Sequence, residues 1–224
     1  NTGMTLAAVM TGVFITNMGV PMWLGVIGGV ATGALMGLIN GLNIAFLKLP
    51  PFIATLAMMM IAQGLALVIS GVRPIYFSTS APNFKDIALG TLIPGLPNAV
   101  LITGVLAIIA FFVLGKTLLG RYTFAIGSNE EATRLSGVNT RRWLVLIYVF
   151  AGTFTGIAGV VMASRLDSAQ PQLGMGYELQ AIAAVIIGGT SLMGGRGSIL
   201  GTVIGALIMS VLINGLRIMS IQTE

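Results

Sequence analysis

The chain has 224 residues, 56% hydrophobic and 8% charged, with a mean hydropathy of +1.00. A soluble domain carries about a quarter of its residues charged, so that class is excluded. The absence of Cys and His excludes disulfides, Cys/His zinc sites, haem ligation by those residues, and Ser–His–Asp or Cys–His nucleophiles.

Apolar runs approach or exceed the roughly 18–20 residues that cross a bilayer. They are continuous, without the alternation that a membrane β-barrel requires. The expected fold is therefore an all-α, polytopic helical membrane protein of about six to seven membrane segments, one of them open to a re-entrant reading. The net charge of +5 does not point to nucleic acid, because the basic residues concentrate in one loop. Asp86 and Asp167 both fall in expected loops, which argues against an intramembrane aspartyl dyad and, with no His or Cys, against enzyme chemistry in this chain. The sequence starts at Asn1 without a visible signal peptide and reads as beginning partway into a longer protein.

The first apolar run, 4–18, is short for a span and reads as the tail of one or as a broken helix. Pro21 restarts the pattern at a favoured early-helix position. Along the second run, 22–47, Gly25, Gly29, Gly33, Gly37 and Gly41 recur every four residues. That spacing lays a glycine stripe on one helix face, where another helix can approach closely. Asn40 and Asn43 near its end either line a polar path or bond a neighbouring helix. Lys48, Pro50 and Pro51 break the chain before a third span, 52–70, whose one strongly polar residue is Gln63. The 73–97 loop is rich in proline and aromatic residues, and loops of that length are often functional or flexible.

A fourth span, 98–115, leads into the charged stretch RYTFAIGSNEEATRLSGVNTRR at 121–142, just after Lys116. It predicts a short helix through Ser128, Asn129, Glu130, Glu131, Ala132, Thr133, Arg134, Leu135, Ser136 and Gly137. Ser128 and Glu131 have capping-box spacing. The acids occupy the first turn and Arg134 a later one, as the helix dipole favours. Gly137 is placed to turn the chain out of the helix. A capped helix held between two spans suits docking; a solvated cytoplasmic helix accounts for the same residues.

The fifth span, 143–164, carries Gly152, Gly156 and Gly159. A polar loop at 165–176 precedes an apolar stretch at 177–193, which holds Glu178 and Gln180 in its first turn and runs into GGTSLMGGRGS at 188–198. That cluster lacks the Lys-Ser/Thr pair of a phosphate loop, and reads as a tight turn or unwound segment. Gly197, Gly201 and Gly205 open a last span that ends near Asn214. With 116–142 placed inside, seven basic residues lie inside and four outside, in keeping with the positive-inside rule.

Three stretches carry a more specific signal: LKLPPFIATLAMMMIAQGLALVISGVRPI, AIGSNEEATRLSGVNTRR and SAQPQLGMGYELQAIAAVIIGGTSLMGGRGSILGTVIGALI. In this order they resemble the permease subunits of bacterial ABC importers for ribose and related monosaccharides, within the branched-chain-type permease superfamily. The resemblance covers nearly the whole chain. It implies a single permease domain over 1–224, lacking the first membrane segments and a final span after Ile221, in the bacterial inner membrane. It implies a second permease copy, two cytoplasmic ABC ATPase subunits that hold ATP and Mg, and an external sugar-binding protein facing 73–97 and 165–176. The helix at 129–137 maps onto the family's coupling helix, with 116–142 as its loop. No cofactor is expected on this chain. Asn40, Asn43, Gln63, Glu178, Gln180 and Asn214 are the candidates for a neutral sugar path, each weighed against a bond to a neighbouring helix. An ion-gradient-driven carrier or channel is the alternative, and the acid-free central spans disfavour it.

Overall fold

A computed structural model describes residues 2–174 and 176–219. Among them, five helices are long and apolar enough to cross a membrane, and two shorter apolar helices accompany them. The protein is an all-α polytopic membrane protein, with one two-residue antiparallel ladder added. The chain divides into two compact units, Asn1–Leu106 with Arg141–Met175, and Ala107–Thr140 with Gly176–Glu224.

The first unit is built around α1 (Thr2–Gly12), most of whose residues are buried. Its small residues make this burial possible, because they let neighbouring backbones come close. The run at 4–18 is thus a core helix that ends in a π-helical turn, Val13–Asn17. Pro21 stands just outside α2 (Met22–Leu47) as its N-cap, not within its first turn. The five ladder glycines form most of the buried face of α2. Gly25 and Gly29 meet Ile15 and Thr11 at the end of α1. Farther along, the partner is α8 (Thr140–Leu166): a Cβ at Gly33 would stand 2.5 Å from the Gly152 carbonyl, and one at Gly41 2.8 Å from the Val145 Cα. Gly37 lies against the Tyr148 carbonyl, and Gly159 of α8 against the Met4 carbonyl. The stripe therefore serves two helices, α1 at one end and α8 at the other.

Lys48 turns the chain with a φ of 53°, and Pro51 starts α3 (Pro51–Ser70) at the first helical position. The 73–97 segment is anchored by four buried residues, Phe77, Ala81, Phe84 and Ala88, and is otherwise mostly exposed. Strand β1 (Ile75–Tyr76) pairs with β2 (Ser168–Ala169), with Ile75 opposite Ala169. Phe77 and Phe84 are wholly buried and stack with centroids 4.1 Å apart. The Ser164 hydroxyl, at the end of α8, donates to the Phe84 carbonyl (2.6 Å) and accepts from the Ala88 amide (3.0 Å) in α4 (Asp86–Leu89). Asn98 bonds the Asp86 carbonyl and the Leu92 amide, both at 3.0 Å, and fixes the start of α5 (Asn98–Lys116).

In the second unit, α6 (Leu118–Ser128) and α7 (Glu130–Leu135) follow α5. Then α9 (Tyr177–Ile187) and α10 (Ile199–Ile218) form an antiparallel hairpin. Gly188 packs on Gly201, and Gly205 on the Ala184 carbonyl. Eleven residues give α9 a rise of about 16 Å, short of the roughly 30 Å hydrocarbon thickness.

Candidate functional site

The charged stretch folds as two helices joined by a single extended residue. A tight bend ends α5: Gly120 lies on the Leu114 backbone, where no side chain fits. Helix α6 then continues through Ser128, which places that residue in a helix and removes it as a cap. Asn129 takes its place. With φ −159° it steps the chain out of α6, and its side-chain oxygen accepts from the Ala132 amide at 2.9 Å. The expected Ser128 capping box is thus corrected to an Asn129 cap. The helix it starts has six residues, Glu130–Leu135, shorter than the 128–137 stretch that the sequence predicts.

The other end follows the expectation. Gly137 has a φ of +85°, and its amide donates to the Arg134 carbonyl at 3.0 Å. An L side chain is strained there, so glycine suits the exit. Thr133 is the buried residue of α7, while Glu131, Arg134 and Leu135 face outward. Leu135 is 79% exposed. Glu131 pairs with Arg134 at 3.0 Å. Glu130 accepts from the Thr140 hydroxyl at 3.2 Å, which ties α7 to the start of α8. This is a short helix that displays two acids, Glu130 and Glu131, one base and the apolar Leu135, an arrangement suited to docking a partner. Among the described residues no cluster of His, Cys, Asp or Glu could hold a metal ion.

The glycine-rich turn after α9 lies against this site. Gly194 and Gly195, with φ of 88° and 74°, stack on the backbone of Gly127 and Ser128. Nothing local in the sequence announces that pairing, since the two segments are more than sixty residues apart. The tip of the α9–α10 hairpin therefore reaches the end of the unit that carries α7. Gly197, expected to open the last span, lies in the turn against Thr190, whereas Gly201 and Gly205 are within α10 as expected.

The six candidate path residues divide between the units: Asn40, Asn43 and Gln63 in the first, Glu178, Gln180 and Asn214 in the second. Two have structural partners. The Gln63 amide donates to the Pro171 carbonyl at 2.8 Å, and Glu178 accepts from the Gly176 amide at 3.3 Å. Asn40 has its side-chain oxygen buried without a partner. Gln180 is exposed.

The family model described as "Branched-chain amino acid transport system / permease component" matches residues 1–224. The chain belongs to this permease family. The permease is 43% identical over 195 residues to the ribose import permease protein of Escherichia coli (strain K12), covering 86% of this chain and 60% of the relative. It is 47% identical over 185 residues to the ribose import permease protein of Bacillus subtilis (strain 168), covering 82% and 57%. It is 39% identical over 226 residues to the fructose import permease protein of Rhizobium meliloti, covering 99% and 63%. The chain thus spans about 60% of the length of these relatives. No solved structure matches the permease.

Proposed function

We propose that this chain is the membrane-spanning part of an ATP-driven importer of a ribose-like monosaccharide in a bacterial inner membrane. In this reading α7 is the coupling helix. It seats in a cytoplasmic ABC ATPase, which binds ATP and Mg, while this chain takes no part in hydrolysis. A second permease copy completes the pathway, and an external binding protein delivers the sugar. ATP binding closes the ATPases and moves α7; the bundle switches access because the two states bind substrate and partners differently. The observation that carries this reading is the outward display of Glu131, Arg134 and Leu135 on a capped helix within the basic stretch. The relatives' names supply the substrate class.

The test is mild-detergent recovery of the full-length permease, with mass spectrometry of what accompanies it. An ABC ATPase is expected with the wild type. It is lost when Glu131→Ala and Arg134→Ala are combined, while membrane insertion is unchanged. Equal recovery with the double variant contradicts the role of α7. A permease isolated alone under several detergents points to a gradient-driven carrier.

A further inference from the structure

The docking role leaves the glycine-rich turn at 188–198 unused, yet that turn is fastened to the coupling region backbone to backbone. A Cβ on Gly127 would stand 2.7 Å from the Gly195 nitrogen, one on Gly194 2.5 Å from the Gly127 carbonyl oxygen, and one on Gly195 3.0 Å from the Ser128 Cα. No flexible side chain lies between the segments to absorb a displacement. Close-packed contacts of this kind transmit strain.

Each partner in the contact is joined to a rigid piece. Gly127 is followed by Ser128 and the capping Asn129, and then by α7. The turn is closed by its own bonds: the Ser191 amide donates to the Arg196 carbonyl at 3.0 Å, and the Gly194 amide to the Ser191 carbonyl at 3.2 Å. It continues into α9 and α10, themselves locked by the Gly188–Gly201 and Ala184–Gly205 contacts. A push on α7 therefore has a continuous path into a membrane hairpin.

We propose that Gly127, Gly194 and Gly195 are positioning residues that transmit the movement of α7 to the α9–α10 hairpin. This linkage rests on the ATP-driven reading above. The turn then has a mechanical role, in which the ATPase stroke reaches the hairpin at its tip and moves it as one body with α6.

The experiment uses the full-length permease with its ATPase and binding protein in proteoliposomes, measuring monosaccharide uptake and ATP hydrolysis together on a panel that includes ribose. Gly127→Ala is expected to retain the ATPase and near wild-type hydrolysis while uptake falls by about tenfold, the size of a typical coupling between sites. The ratio of ATP consumed to sugar moved rises accordingly. Gly104→Ala, which faces open space, is the control and keeps wild-type uptake. Unchanged uptake in Gly127→Ala, or a parallel fall of uptake and hydrolysis, overturns the linkage.

A second arm covers a Gly127→Ala chain that does not assemble. The protein has no Cys, and a Cβ at Gly195 lies 3.1 Å from that of Ser128, near the roughly 3.5–4.5 Å of a disulfide. Gly195 has a φ of +74°, where a side chain is strained, so Ser128→Cys with Gly195→Cys is expected to lower uptake even when reduced. Oxidation should cross-link the pair and leave that reduced-state uptake unchanged, because the two segments move together. Uptake lost on oxidation and restored by reductant overturns the linkage while sparing the importer reading. A wild type with no ATP-driven uptake on the panel overturns that reading, and the linkage with it.

Discussion

Helices α1 and α10 mark the contrast between the two units. Most of α1, in the first, is buried among its neighbours, whereas α10, in the second, has Gly205 as its one buried residue among those described. The first unit is held by backbone approach along a glycine stripe and by a stacked Phe77–Phe84 pair under its polar connections. The second is held at points: a bend at Gly120, a glycine seam at Gly127, and the α9–α10 hairpin. Lipid tails are as apolar as the helices they surround, so packing inside a bilayer depends on close van der Waals fit more than on hydrophobic gain. A unit rich in such fit resists deformation. A unit fastened at a few points is suited to receive a partner and to move.

Substitutions can break this contrast, beginning with the stripe. Gly37→Leu drives a side chain into the Tyr148 carbonyl, at a cost of about 3 kcal/mol or more from overpacking. No monodisperse protein is expected on size exclusion. Phe84→Ala empties a wholly buried position and should cost about 3–5 kcal/mol in unfolding measurements. Ser164→Ala leaves the Ala88 amide and Phe84 carbonyl without their partner, a loss of about 1–3 kcal/mol.

The second unit yields smaller effects on stability. Asn129→Ala removes the α7 cap and should cost about 1 kcal/mol, read as faster amide exchange at Ala132 and Thr133. Glu131→Gln breaks an exposed pair, and stability should hold within about 0.5 kcal/mol, while ATPase recovery falls. A large loss of stability there would erase the contrast between a closely packed unit and one held at a few points.

The sequence is most informative where its signal is periodic or local. The ladder from Gly25 to Gly41 announces a close-packed face, and its helix, Met22–Leu47, keeps the boundaries of the apolar run. Gly137 announces its turn, because a residue free of a Cβ suits that φ best. The cap lies one residue beyond its expected place: Ser128 and Asn129 are both competent, and the choice depends on how far α6 runs. Non-local partners leave no such mark. Phe77 and Phe84 read as loop aromatics because Ser164, which pins their segment, lies eighty residues from Phe84 in sequence. The seam of Gly127 with Gly194 and Gly195 is hidden for the same reason.

The central claim is that this chain conducts a sugar under ATP control. The most direct test is uptake by proteoliposomes containing the full-length permease, its ATPase and its binding protein, with ATP supplied to the α7 side and ion gradients collapsed by ionophores. The account predicts uptake that requires ATP, survives the ionophores, and disappears when Glu131→Ala and Arg134→Ala are combined. Uptake that proceeds without ATP and collapses with the gradient would contradict it.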